Sequence, residues 1–296
     1  MSAFDTHGTE GTPRGPRPVP RLGYLWAFGL ALLVAVVIAS VSLGIATYGA
    51  FVPSVLLEAA LGQWLGQLTG VLLLVLVLTA ARWWGVTGLT RLAPQRDGWT
   101  VLPLLGLVVL GAVVGWVQYG RLLTVPVFDR GGATETISVL WLVTLFAITS
   151  VLLTLALVPR LLDDGRSPLE IVLMTGVVVG LSSIGTDLVF EVFSPDSMGY
   201  NAFGSPSDTA LRVLAQALLV LPYVAVAIRT GSPWLLFPVL LIRLLTGGPG
   251  DAWFWAYALL GAAYAAWLAW GDHGGEDDAT DLGGDQSADS EVPTTP

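Results

Sequence analysis

Between Tyr24 and Trp270 the chain has no cysteine, no lysine and no histidine; its two histidines, His7 and His273, lie in the polar ends. Each absence removes a class of mechanism. Without cysteine or histidine, haem or zinc cannot be ligated in this stretch by the usual side chains. A Ser-His hydrolase lacks its base, and Gly180-Leu181-Ser182-Ser183 does not fit the pattern of a nucleophile elbow. Without lysine, the glycine-rich stretch 247–250 cannot act as a phosphate loop and reads as a turn. No cofactor is therefore expected. Charge is scarce as well: 12% of the residues are charged, against roughly 25% in soluble domains.

What remains is apolar and long. Mean hydropathy is +0.74 over 296 residues, which belongs to the membrane class. Apolar runs fall at about 24–46, 61–82, 99–120, 137–158, 169–192, 209–228, 234–245 and 252–270. A membrane span needs about 20 residues. Six runs meet that length and the last nearly does, whereas 234–245 reaches only about 18 Å at 1.5 Å per residue. The fold class read from this pattern is all-α: a polytopic transmembrane helical bundle of seven or eight spans over residues 21–271. The first run carries no cleavage pattern and is expected to stay as an anchor. From Ser54 the apolar character runs on to Trp84, so the second helix either tilts or begins along the interface with Glu58 in water.

The ends differ from the body. Residues 1–20 hold Pro13, Pro16, Pro18 and Pro20 among Gly, Thr and Arg, and are expected to form a disordered arm. Residues 272–296 carry eight acids and no arginine, so the net charge of −9 belongs to an expected disordered acidic tail, leaving a near-neutral body. Such a body suggests the lipid bilayer, not nucleic acid, as partner. Arginine as the sole cation and an acidic tail, with abundant Gly, Ala and Val, suggest a halophile.

Helix starts are marked by Ser167-Pro168-Leu169-Glu170, a capping box with proline at the first helical position, and by Ser205-Pro206-Ser207-Asp208, Ser232-Pro233 and Asp251. Orientation follows from arginine placement. With the N-terminus inside and eight crossings, nine arginines lie at inner segments and four (Arg121, Arg130, Arg212, Arg243) at outer ends. A cytoplasmic N-terminus in a cell membrane is expected, with Trp83, Trp84 and Trp99 as an inner aromatic belt.

Within the spans, Gly62, Gly66 and Gly70 form a stripe of small residues, and Gly111/Gly115 and Gly176/Gly180 form two pairs. Small residues four apart let another helix backbone approach closely, either within the bundle or across a homo-oligomer face. Gln63 and Gln67 flank the first stripe as candidate interhelical hydrogen-bond groups. Asp187 and Glu191 lie four apart on one helix face, and Arg212 returns at similar depth on the next span. Such charges cost roughly 2.5–3.5 kcal/mol each at mid-membrane and should be paired or hydrated. An ion pair tying two spans and a proton, cation or substrate site are the two readings. Arg243, in the short seventh run, can join the same cluster. Pro222 is expected to kink the sixth span and Pro238 to bend the seventh run, a pattern that points to a broken helix lining a cavity. Asp163-Asp164, beside Arg160 and Arg166, reads as a solvated turn.

Arg229-Thr230-Gly231-Ser232 followed by Trp234, together with the basic loop from Arg91 to Asp97, resembles segments of the CPBP (CAAX-processing) intramembrane proteases. That family's paired glutamates followed by arginine are absent, and Leu240 and Leu244 stand where its histidine and asparagine would fall. The resemblance thus implies a non-catalytic relative. The function expected is that of a non-enzymatic permease-like or accessory membrane component, possible partners being another membrane protein or a second copy. The alternative is a membrane enzyme using intramembrane carboxylates.

Overall fold

A computed structural model describes residues 16–48, 55–119, 133–163, 165–193, 206–246 and 251–270. All regular structure among them is helical. The helices are α1 (Gly23–Tyr48), α2 (Val55–Ala81), α3 (Val101–Tyr119), α4 (Ala133–Ser150), α5 (Val158–Leu162), α6 (Pro168–Phe193), α7 (Pro206–Thr230), α8 (Phe237–Thr246) and α9 (Asp251–Trp270). A π-helical segment, Val151–Leu157, joins α4 to α5 in one rod, and short 3-10 turns precede α3 and α8.

Six helical stretches are long and apolar enough to cross a membrane: Gly23–Ile45, Leu61–Ala81, Gly98–Gln118, Val139–Leu162, Pro168–Val189 and Ser207–Thr230. Their outward faces carry large apolar side chains, Leu72, Leu76, Leu102, Trp116 and Val117 among them. An exposed surface of this kind is matched by lipid and not by water. The molecule is a polytopic helical membrane bundle.

α1 packs between α2 and α6, α6 against α7, and α7 against α9, while α3 leans on α8 and α9. The α4–π–α5 rod runs through this arrangement and touches α2, α6, α7 and α8. It is the most enclosed span: Leu152, Leu157, Val158 and Leu162 are fully buried.

The glycine stripes serve these helix pairs. A Cβ at Gly66 or Gly70 would run into Ser42 and Ile38 of α1; one at Gly176 would lie 2.6 Å from Leu221 Cδ2, and one at Gly180 2.5 Å from the Val213 carbonyl of α7. Gly62, Gly111 and Gly115 are also buried.

Helix ends follow local chemistry. The box at Ser167 is reciprocal: Ser167 N donates to Glu170 Oε2 at 3.0 Å, and Glu170 N to Ser167 Oγ at 3.3 Å. α2 is one continuous helix of 27 residues, roughly 40 Å long. It closes in a Schellman motif, with Trp83 N donating to the Leu78 carbonyl and Arg82 N to that of Thr79. Arg82 takes the left-handed position, at φ 59°.

Several expectations are corrected. Ser232 does not cap the turn that follows it; its Oγ donates to the Arg91 carbonyl at 2.8 Å. Pro238 does not bend α8 but stands in its first turn, where no N–H donor is needed. Pro222 stands inside α7, and its ring packs at Gly261 of α9. Trp83 is no belt residue: it is 4% exposed, and its Nε1 donates to the Arg17 carbonyl at 2.7 Å. Residues 16–20 are thereby held against the end of α2, where Arg17 N also donates to Ala81 O. Residues 1–15, the tail 272–296, and the side chains of Glu58, Tyr48 and Tyr119 lie outside what the structure describes.

The first and last described segments lie on one side of the bundle. The end of α7 is bound to the segment before α3, with Gln95 N donating to Thr230 O at 2.9 Å. Near the end of α9, Tyr264 Oη donates to Thr100 O at 2.6 Å, and Trp267 packs edge-on against Trp99. α8 and α9 thus go out from this side and return to it.

Candidate functional site

The polar interior of the bundle is arranged along the α4–π–α5 rod. Toward its α4 half lies a cavity of about 200 Å³, with Gln67, Thr149, Ser150, Thr154, Ser182 and Thr186 in its wall. These side chains come from α2, α4, the π segment and α6, and the apolar wall is given by Ala31, Val34 and Ile38 of α1. Gln67 is 3% exposed. Its Oε1 accepts from Thr149 Oγ1 at 3.1 Å, while that hydroxyl also lies 2.9 Å from the Leu145 carbonyl. Ser150, Ser182 and Ser183 likewise return their hydroxyls to helix carbonyls three or four residues back. The serine protons are thus directed at backbone carbonyls, and the Thr149 proton is shared between a carbonyl and the Gln67 amide oxygen.

Toward the α5 half lies a second, larger cavity of about 370 Å³. Arg91, Gln95, Arg160, Asp163 and Arg166 line it, with Leu155 and Ala156 of the π segment in its wall. The two cavities therefore follow one another along a single rod. Leu153 and Thr154 face one, and the next two residues face the other. π segments inside α-helices occur often at functional sites, because the i→i+5 pairing leaves a local irregularity in an otherwise saturated ladder.

The segment 83–97 that carries Arg91 and Gln95 is stapled to the end of α7 and the turn after it. Arg229 Nε lies 2.7 Å from Asp97 Oδ2, and Trp234 Nε1 donates to Leu89 O at 2.9 Å. Gly88 and Gly231, at φ 73° and 63°, meet back to back, so that a Cβ on Gly88 would strike the Gly231 carbonyl. The segments 88–97 and 229–234 thus pack on each other. Here their polar residues are engaged in holding a loop.

Of the candidate charged residues, Asp187 and Arg212 are brought together. Arg212 Nη2 lies 2.8 Å from Asp187 Oδ2, and Nη1 donates to Oδ1 at 3.2 Å, an ion pair between α6 and α7. Asp187 is 8% exposed. Glu191 is exposed, with no ion pair among the described residues. It sits one turn nearer the helix end, where a carboxylate reaches water. Arg243 is elsewhere. Its guanidinium lies 5.3 Å from the centroid of Tyr223, and Tyr223 stands eleven residues along α7 from Arg212, about 16 Å. Tyr223 Oη is 3.4 Å from Tyr257 Oη. The expected four-residue cluster is therefore one ion pair, one exposed acid and one separate arginine over an aromatic ring.

Sequence reasoning missed Thr149, Thr154 and the arginine-lined cavity. No local signal marks them, since their walls come from segments far apart in the chain. Asp163 pairs with Arg160 at 2.9 Å, and no group of three or more metal-ligating acids or imidazoles occurs among the described residues.

A helical bundle of this kind, with two pockets following one another along one rod, defines a multi-pass integral membrane protein. No family model, curated protein or solved structure matches the chain.

Proposed function

We propose that this protein is a non-enzymatic, permease-like component of the cell membrane, with the N-terminus on the cytoplasmic side. The observation that carries the reading is the pair of cavities placed end to end along the α4–π–α5 rod and parted by the π segment. A solute path needs polar groups at successive depths, commonly beside an irregular stretch of helix. The cavity nearer α4 offers uncharged oxygen acceptors, suited to a small polar or cationic solute. Its charged neighbour, Asp187, is held by Arg212 and so supports a helix tie more than an acid–base role. The enzymatic alternative has no comparable support, because the second carboxylate, Glu191, faces outward. The nine-to-four arginine asymmetry supports the orientation.

The cysteine-free chain allows a direct test. Single cysteines replacing Ser150 or Thr186 in one cavity, and Ala156 or Ile171 in the other, are probed with a small impermeant thiol reagent from each side of sealed vesicles. A permease gives labelling of the first pair from one side and of the second from the other. If all four positions stay inert from both sides while the protein remains folded, the cavities are closed packing defects and the accessory role takes over.

A further inference from the structure

We propose that the arginine-lined cavity binds a phosphate-bearing anion, either a lipid headgroup or a soluble phosphate. Three guanidinium groups, Arg91, Arg160 and Arg166, line about 370 Å³ with one carboxylate, Asp163, among them. That carboxylate is engaged by Arg160 Nη1 at 2.9 Å, and Arg160 Nε remains buried without a hydrogen-bond partner. A buried guanidinium N–H without an acceptor costs free energy that an incoming oxyanion would return. Arg160 is also fixed in place, its guanidinium lying 5.8 Å from the centroid of the buried Trp83 ring.

Arg166 has the same surplus. Its Nη1 lies 2.8 Å from the thioether of Met174, an acceptor too weak to balance a full charge. Neither Arg91 nor Arg166 has a carboxylate partner among the described residues. The Arg91 backbone is held by Ser232 Oγ and by Gly88 O, and Gln95 beside it adds an amide to the wall. The stapled 83–97 segment thus holds Arg91 at the cavity, instead of leaving it on a free loop.

Phosphate fits this arrangement better than a carboxylate does. Guanidinium forks match its oxygens two at a time, and a dianion balances the two positive charges that the described lining residues leave once Asp163 is counted. The volume falls within the range of small-ligand pockets and exceeds what a bare oxyanion needs. An organic group attached to the phosphate therefore has room. The inference is independent of transport: the cavity could hold a bound lipid in a protein that moves nothing.

The test uses the full chain purified in a mild detergent. Binding of inorganic phosphate is followed by equilibrium dialysis at constant ionic strength. In a second arm, retention of phosphatidate against phosphatidylcholine is counted by native mass spectrometry. Saturable binding in the first arm identifies a soluble phosphate, and selective retention of phosphatidate identifies a lipid headgroup. In whichever arm is positive, Arg91→Gln and Arg166→Gln should each weaken binding about tenfold or more, since a charge-assisted contact is lost. Arg96→Gln, on the same segment but outside the cavity, should leave it unchanged. Arg91 is exposed, so its substitution does not endanger folding. Absence of saturable or selective binding in both arms overturns the proposal. So does equal weakening by Arg96→Gln, which would reveal only a diffuse basic surface.

Discussion

The Asp187–Arg212 pair shows how much one residue can decide in a low-dielectric setting. Asp187 is nearly enclosed, with Arg212 covering it from α7 and about a third of the Arg212 side chain still exposed. Removing Arg212 leaves an aspartate with poor access to water, and breaking a buried pair from one side costs about 3–5 kcal/mol. Partial exposure places Arg212→Ala at the lower end of that range. Thermal unfolding in detergent should show the loss, and adding Asp187→Asn should recover most of it. Glu191→Gln should change little, because its carboxylate already faces outward. A double variant no more stable than Arg212→Ala would mean that Arg212 acts through other contacts. The spacing of Asp187 and Glu191 was legible in the sequence, as was the return of Arg212 at similar depth. Which carboxylate takes the arginine was not, because the choice depends on the angle between α6 and α7, set by Gly176 and Gly180 against Ala217 and Val213.

Among the elements, the π segment has the most specific consequence. Seven residues wound with i→i+5 pairing contain one residue more than an α-helix of the same rise requires. Deleting Leu153 should return the rod to α-helix and leave α5 on its present faces, because the wider winding already absorbs the extra residue. Arg160 should stay over Trp83, and Leu157, Val158 and Leu162 should stay buried. Inserting one alanine between Ser150 and Val151 should instead rotate α5 by about 100°. A large fall in the thermal midpoint is expected of the insertion and a small change of the deletion. A deletion as damaging as the insertion would show that the wider winding itself is required. Sequence patterning could not have revealed this segment, since Val-Leu-Leu-Thr-Leu-Ala-Leu is equally good α-helix. The helix starts were legible, because a capping box is local chemistry written in four consecutive residues. Trp83 misled for the opposite reason. An indole at a span end usually meets the interface, but here the N-terminal segment at Arg17 and the α5 guanidinium cover it.

For the molecule as a whole, the described chain begins and finishes on the same side of the bundle, and most of the described arginines gather there. If that side is cytoplasmic, impermeant maleimide applied to intact cells should spare cysteines at positions 94 and 164 and label those at 131 and 200. Labelling at position 94 in intact cells would reverse the orientation. The number of long spans was legible in the sequence because hydropathy is summed over about 20 residues and forgives local error. The out-and-back course of α8 and α9 was not, because it rests on contacts of Trp234 with Leu89 and of Tyr264 with Thr100.

The position of α1 between α2 and α6 carries a consequence in time. During synthesis α1 meets α2 almost at once, through Gly66 and Gly70. The face that receives Gly185 of α6, with Leu32, Ala35 and Val36, must wait for roughly 150 further residues, about 8–30 s of elongation. Through that interval the first helix presents a half-finished seam to lipid or to an insertion chaperone. Ribosome-stalled chains halted before α6 should therefore crosslink through Ala35 to whatever guards the seam, and chains halted after it should not.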